Sequence, residues 1–205
     1  MVAFVALGWL ACAGTASAQA VALRPFAVGT FQRFAAQQTF QAVLGRSEQP
    51  FFGGGLNIAF RDGLFIDLTA SRFNKTGQRA FLFNGQSFGL GIPLTVTEIP
   101  FEVSAGYRFR ASHVLRPYVG AGIGSYSYRE TASDSSAASD NLGVRHAGYL
   151  LVGGVEVRVH SWVAVSADAQ WTRVSGILGN GGISKDANER DLGGVAARVR
   201  VIVGR

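Results

Sequence analysis

Apolar and polar side chains alternate most clearly in residues 144–174 (VRHAGYLLVGGVEVRVHSWVAVSADAQWTRV). Alternate positions of the first half are apolar, and the positions between them include Gly154, Glu156 and Arg158. After a break at His160-Ser161, the second half repeats the pattern with Asp168 on its polar face. A period of two predicts strands, because successive side chains of a strand point to opposite sides. Strands of this length, apolar on one face and charged on the other, are typical of a β-barrel that crosses a membrane.

The same alternation predicts eight strands in all. Six lie outside the opening hairpin, at residues 24–34, 51–60, 64–73, 95–109, 117–128 and 193–203. Asp62-Gly63 between two apolar runs predicts a tight hairpin turn. Pro100 lacks a backbone donor and predicts a bulge or local irregularity in its strand.

The predicted connections alternate in length. Long ones cover residues 35–50, 74–94, 129–143 and 175–192, and short ones cover residues 61–63, 110–116 and 160–161. Outer-membrane barrels have short turns on the periplasmic side and long loops on the surface side. We therefore predict an all-β fold, an eight-stranded antiparallel up-and-down transmembrane β-barrel. The low-complexity segment 133–140 (SDSSAASD) is expected to be a mobile surface loop.

Residues 1–18 have the pattern of a secretory signal peptide. An apolar stretch leads to Ala16-Ser17-Ala18, a small-residue cleavage site, and cleavage after Ala20 is the alternative. A lipoprotein attached through Cys12 is another interpretation, although the residues before Cys12 make a poor lipobox. We therefore expect a cleaved leader at residues 1–18 and one barrel domain at residues 19–205.

Composition narrows the class of protein. The chain has 205 residues, of which 48% are hydrophobic and 16% charged, so extensive disorder is not expected. The net charge of +6 is spread along the chain without basic clusters, so we expect no nucleic-acid partner. Cys12 is the only cysteine, so the chain without its leader would contain no disulfide.

The strand at residues 117–128, PYVGAGIGSYSY, resembles the Pro-Tyr-aliphatic-Gly-x-Gly strand of small outer-membrane barrels. The chain after its leader resembles the outer membrane protein β-barrel family. The resemblance implies a location in the outer membrane of a Gram-negative bacterium. It also implies contact with outer-membrane lipids, lipopolysaccharide and the barrel-assembly machinery. One departure is the end of the chain, Val201 to Arg205, where such proteins usually carry a terminal aromatic residue.

Charged side chains recur in the phase that would face the barrel interior. They are Asp67, Glu98, Glu102, Arg108, Glu156, Arg158, Asp168, Arg198 and Arg200. An eight-stranded barrel is only wide enough for its own side chains, so these charges need partners. We predict an internal salt-bridge network, with Glu156 or Glu102 paired to Arg198 or Arg200. A narrow ion path or an acid/base pair is the functional alternative.

Other candidate sites are weaker. Gly120, Gly122 and Gly124 resemble a phosphate loop, but the strand continues through Tyr128 where such a loop needs a helix, so we interpret them as small residues that leave room for arginines. His146 lies near the loop that holds Ser133, Ser139 and Asp140, without the spacing of a known triad. Asp186, Asn188, Glu189 and Asp191 offer oxygen atoms to calcium, but not in EF-hand spacing. His113 and His160 are expected in solvated turns, and Tyr107, Phe109, Trp171, Tyr149 and Phe73 in aromatic girdles at the membrane interfaces.

The expected role is structural, or surface contact through the long loops. We expect a monomer without enzyme activity, cofactor or metal, whose charged interior excludes a general porin. One alternative is an outer-membrane lipid-modifying enzyme. The other is a soluble periplasmic barrel of the lipocalin type, whose apolar face would line a ligand cavity.

Overall fold

The computed structural model describes residues 21–83, 86–110, 112, 114–132, 142–179 and 182–204. The predicted leader at residues 1–18, with Cys12, lies outside this part of the chain. So do His113 and the low-complexity segment 133–140, with Ser133, Ser139 and Asp140.

Eight antiparallel strands form one closed barrel, as the alternation predicts. They are β1 (Val21–Phe34), β2 (Glu48–Phe60), β3 (Leu64–Phe83), β4 (Gln86–Arg108), β5 (Leu115–Ala132), β6 (Leu142–His160), β7 (Val163–Arg173) and β8 (Gly194–Val203). Each strand pairs with its neighbours in sequence, and β1 pairs with β8 to close the ring. Within the barrel wall, closure gives every described strand a partner on both sides, which a sheet surrounded by lipid requires.

The two faces of the strands separate as expected. In β8, Val195, Val199 and Val201 are half exposed on the outside, whereas Arg198 and Arg200 are buried inside. The same phase holds in β6, where Leu151 faces outward and Glu156 is 1% exposed. The apolar face is therefore the outer surface. The alternative of a lipocalin-like barrel with an apolar interior cavity is wrong for this chain.

Short turns join the strands at one end of the barrel. Gly63 adopts φ 99°, and Arg108 donates its backbone N–H to the Gly63 carbonyl at 2.8 Å, which a side chain at residue 63 would crowd. The bulge predicted as one possibility at Pro100 does not form, although the pairing of β3 with β4 is interrupted beside it, at residues 71–72 and 99–100. Ala70 lies opposite Phe101 and Phe73 opposite Glu98, so the register is the same on both sides of the proline.

The second long connection is not a loop. β3 continues to Phe83 and β4 begins at Gln86, so most of residues 74–94 form a paired hairpin that extends beyond the other strands. The register shifts once within it, between Gln78 and Ala80. Sequence periodicity missed this extension because the shift breaks the alternation and because Gly89 and Gly91 weaken it.

Two short helices lie in the other long connections. α1 (Gln37–Leu44) follows β1, and α2 (Gly182–Asp186) precedes β8. α1 ends at Gly45, which adopts the left-handed φ of 79° that commonly terminates a helix. Both helices pack against β3, at the loop end of the barrel. Neither helix in the part of the chain that the structure describes is long and apolar enough to cross a membrane.

Candidate functional site

The barrel interior is the richest collection of polar side chains in the described chain. Strand alternation places the nine predicted residues on inward positions, and all but Arg158, which is half buried, are less than 9% exposed. Six ion pairs join four carboxylates to four guanidinium groups. The members are Arg24, Asp67, Glu102, Arg108, Glu156, Asp168, Arg198 and Arg200, and we refer to them as the interior network. Its formal charges balance.

Asp168 is the centre of the interior network. Its carboxylate lies 2.5 Å from Arg198 Nε and 3.2 Å from Arg200 Nε. Tyr118 donates its hydroxyl to the same carboxylate at 2.5 Å. Arg200 reaches Asp67 across the barrel at 2.7 Å and also contacts Ser166 at 3.0 Å. Asp168 therefore links strands β5, β7 and β8.

Glu156 holds a second group of charges. Arg24 donates two hydrogen bonds to its carboxylate, at 2.7 and 3.3 Å, and Arg108 lies 3.3 Å away. Arg108 also donates to Asn57, which in turn donates to Asp67 at 2.5 Å. The two groups are thus joined through Asn57 and Asp67.

Glu102 pairs with Arg198 at 3.8 Å, one of the pairings that the sequence suggested. Its carboxylate also accepts hydrogen bonds from Tyr126 at 2.8 Å and from Gln170 at 2.9 Å. Glu156, in contrast, contacts neither Arg198 nor Arg200. Alternation specifies which face a residue occupies, but it cannot specify the residue that lies across the barrel.

Arg24 and Asn57 are interior-network contacts that sequence reasoning omitted. Arg24 occupies the same inward phase as Phe26 and Val28, which is the signal that could have identified it. Asn57 shares its phase with the buried Phe51.

Two of the nine predicted residues stand apart from the interior network. Among the described residues, Glu98 and Arg158 make no ion pair. The Glu98 side chain is 1% exposed, and its Oε2 has no hydrogen-bond partner. Arg158 is half buried close to the turn end, where its backbone N–H bonds to the Val114 carbonyl.

A hydrophobic cluster closes the loop end of the barrel. It comprises Phe34, Ala36, Phe40, Leu44, Phe51, Phe73, Val96, Tyr126, Tyr128, Val174, Ile177, Leu178 and Leu192. The Phe34 and Phe40 rings stack with centroids 3.7 Å apart, which attaches α1 to the barrel wall. We call this cluster the cap. The placement of Phe73 in a membrane girdle is wrong, since its side chain is 3% exposed inside the cap.

Glu189 fastens α1 over the barrel mouth. Its carboxylate accepts the backbone N–H groups of Gln38 and Thr39, both at 2.9 Å, and the Thr39 hydroxyl at 2.7 Å. A carboxylate at a helix N-terminus satisfies free N–H groups and complements the helix dipole. Glu189 lies in the fourth long connection, between β7 and β8, and α1 lies in the first, between β1 and β2. The contact therefore joins two loops that are distant in sequence.

Asp191, in the same connection as Glu189, also binds backbone groups, whereas Asp186 is exposed. Asp191 accepts backbone N–H groups from Val174 at 2.8 Å and Gly193 at 2.9 Å. Within the described ranges, no group of three or more histidine, cysteine or acidic side chains could hold a metal ion. Of the glycines at 120, 122 and 124, only Gly124 borders a large side chain, because a Cβ there would lie within 3 Å of the Tyr126 ring. A Cβ on Gly120 or Gly122 would instead meet atoms of β4, so the nearest neighbours of these glycines are not arginines.

The histidines form no catalytic arrangement in the described part of the chain. His146 faces inward beside Gly176, and its Nδ1 is buried without a hydrogen-bond partner. His160 lies in the exposed turn next to the Ser161 hydroxyl, at 3.3 Å. The outward aromatic residues pair edge to face, Tyr107 with Phe109 and Tyr149 with Trp171. These four fit the girdle positions.

A family model described as "Outer membrane protein beta-barrel domain" matches residues 4–193. No curated protein sequence matches the chain. The N-terminal β-barrel domain of Pseudomonas aeruginosa OprF is similar in structure, with 16% identity, a TM-score of 0.53, and coverage of 90% of this chain and 97% of that one. Neisserial surface protein A has 13% identity, a TM-score of 0.53, and coverage of 90% and 96%. The outer membrane protein OprG of P. aeruginosa has 11% identity, the same TM-score, and coverage of 90% and 93%. At these identities the structures show the fold alone.

Proposed function

The chain belongs to the outer membrane protein beta-barrel domain family, and from this premise we propose that it is a closed, non-enzymatic barrel with a structural or surface-contact role. It works as a monomer. Its partners are the outer-membrane lipids, lipopolysaccharide and the assembly machinery that inserts it. It needs no cofactor.

The proposal rests on the two groups of side chains that fill the interior, the interior network and the cap. The balanced interior network occupies the barrel from Glu156 to Glu102, and the cap covers it at the loop end. An eight-stranded barrel is just wide enough for its own side chains. The arrangement supports a plugged interior, because opening a path would separate several buried ion pairs at once.

The β3–β4 hairpin supports a role in surface contact. It extends past the other strands and exposes Phe81, Phe88 and Leu90, which are 44%, 42% and 52% exposed. The Phe81 and Phe88 rings stack with centroids 5.5 Å apart. Exposed aromatic side chains at the end of a projecting hairpin are suited to contact with another molecule.

Conductance of the purified barrel in planar lipid bilayers tests the closed state. We expect no stepwise conductance from the wild type. A variant with Glu102→Ser, Asp168→Ser and Arg198→Ser removes the middle of the interior network and serves as the comparison. Regular conductance steps in the wild type would show that the interior is an open path and would contradict the proposal.

A further inference from the structure

In the described strands, charged residues that face outward are confined to one end of the barrel. Six do so among the described residues, Arg33, Glu48, Arg72, Arg129, Arg145 and Arg173, and all lie toward the loop end. Toward the turn end the outward positions are apolar, for example Leu64, Tyr107 and Val203. Five of the six charges are arginines, so the outer rim of the apolar band is strongly basic.

Two of the five arginines have acidic partners. Arg33 lies 3.4 Å from Glu48, and Arg173 lies 4.0 Å from Asp191. The guanidinium groups of Arg72, Arg129 and Arg145 are exposed and make no ion pair or hydrogen bond with other described residues. Arg72 lies on β3, Arg129 on β5 and Arg145 on β6, and we call these three residues the rim arginines.

The strand register places the rim arginines around one small area. Ile99 pairs with Ser127, and Ser127 pairs with Arg145. Arg72 occupies the same row on the other side of Ile99, since the adjacent Phe73 pairs with Glu98. Neighbouring strands are about 4.8 Å apart, so Arg72 and Arg145 are roughly 14 Å apart along this row.

Arg129 lies one row closer to the loops. It pairs with Thr97, and Thr97 accepts a hydrogen bond from Asn74 at 2.7 Å. The area between the arginines therefore offers hydroxyl and amide groups as well as positive charge. Immediately toward the turn end lie Phe101 and Ile123, which are 53% and 69% exposed.

We infer that the rim arginines form a site for the phosphate groups of one anionic lipid of the outer leaflet, the phosphorylated disaccharide lipid A. Guanidinium groups bind phosphate bidentately and keep their charge at any physiological pH. Lipid A carries a phosphate at each end of its disaccharide. The rim arginines likewise lie on both sides of a polar area, which we call the rim patch together with them. The apolar residues below it face the acyl chains of the same molecule.

The position of the patch favours a membrane lipid over a soluble polyanion. The row that holds Arg72 and Arg145 also contains Ile99, which is 44% exposed and continuous with the apolar band. A ligand there contacts phosphate-binding and lipid-facing groups together. The inference rests on the proposed placement of the barrel among outer-membrane lipids, but not on whether its interior is closed.

Native mass spectrometry of the refolded barrel in detergent, titrated with diphosphorylated lipid A, tests the inference. The patch variant carries Arg72→Gln, Arg129→Gln and Arg145→Gln. The control carries Arg61→Gln, Lys185→Gln and Arg190→Gln, which removes the same charge from exposed residues elsewhere. We expect the patch variant to bind lipid A roughly 10- to 100-fold more weakly than wild type and the control to stay within about 2-fold. An Arg-to-Lys version of the patch should recover part of the loss.

Three outcomes would overturn the inference. The first is equal binding by the patch variant and the wild type. The second is equal binding of lipid A whose phosphates have been removed, which would assign the affinity to acyl chains. The third is competition by inorganic phosphate, which would indicate a free-anion site. If the triple variant fails to refold, Arg129→Gln and Arg145→Gln are measured singly, and each should weaken binding several-fold. A conducting barrel with intact lipid A binding would contradict only the closed-barrel proposal.

Discussion

Glu98 and Glu102 face the same interior from β4 but have different surroundings. Glu102 has Arg198, Tyr126 and Gln170 around its carboxylate. Glu98 is buried beside the cap, and within the described residues it has no ion-pair partner. A buried carboxylate with partners can contribute to stability, whereas one without them costs free energy.

The pair yields a matched prediction at the residue scale. Glu98→Gln should leave the free energy of unfolding unchanged or raise it by about 1–2 kcal/mol, because it replaces a buried carboxyl group that has no ion-pair partner among the described residues with an amide that cannot ionise. Glu102→Gln should lower it by about 3 kcal/mol, because Arg198 loses a partner. Urea unfolding of the two variants in detergent micelles measures both effects. Equal losses in the two variants would contradict the contrast.

Arg200 and Arg158 provide a second matched pair. Arg200 is 3% exposed and contacts Asp67 and Asp168, so Arg200→Ala should lower the free energy of unfolding by about 3–5 kcal/mol. Arg158→Ala removes the same charge from a half-buried residue without an ion pair among the described residues, and should cost under about 1 kcal/mol. The unfolding midpoint in urea distinguishes them. A wild-type midpoint for Arg200→Ala would show that the interior network does not stabilise the barrel.

At the scale of elements, the first and fourth long connections, which hold α1 and Glu189, behave as one unit. α1 packs its Phe40 and Leu44 into the cap, while its N-terminus is held by Glu189 from the other connection. The helix has no hydrogen-bonding side chain at its own N-cap, Ala36. Glu189 supplies from a distance what a serine or aspartate at the N-cap normally provides.

Removing that carboxylate should loosen α1 without unfolding the barrel. In Glu189→Ala the amides of Gln38 and Thr39 should exchange with deuterium roughly 5- to 30-fold faster. This corresponds to the loss of hydrogen bonding at a helix N-terminus, which contributes about 1–2 kcal/mol. Asp186→Ala changes an exposed acid in the same connection and is the control. Unchanged exchange in Glu189→Ala would mean that the cap holds α1 by apolar packing alone.

At the scale of the whole molecule, the closed ring and its interior ion pairs act together. β1 and β8 pair over nine consecutive residue pairs, from Phe26 with Ile202 to Phe34 with Gly194. All strands must therefore separate together, and lipid or detergent offers the backbone no alternative hydrogen bonds. The barrel should therefore stay folded in denaturing detergent at room temperature.

Gel mobility measures this resistance. The unboiled protein should migrate as a compact species on a denaturing gel, and the boiled protein should migrate at its full chain mass. Arg200→Ala should convert to the slower form at a lower temperature than Arg158→Ala. A single band at all temperatures would contradict a detergent-resistant barrel.

Alternation and turn residues alone specify eight strands, their inward and outward faces and the short turns between them, but not the extension of β3 and β4 through residues 74–94. These follow from a period of two and from turn residues such as Asp62-Gly63, which act locally. Within the apolar band, the sequence also places the charged strand residues on the inward face, because lipid excludes charge from the outward face.

Which charges meet, and how the loop end of the barrel is covered, depends on the three-dimensional arrangement of all eight strands. Arg24 and Glu156 are separated by 132 residues, so their contact depends on closure and on the register of every strand between them. The same holds for Glu189 and α1, where the sequence indicated only a group of oxygen-bearing side chains in a long connection. Alternation shows only whether a side chain faces inward or outward. The distances across the barrel are set when all eight strands are paired.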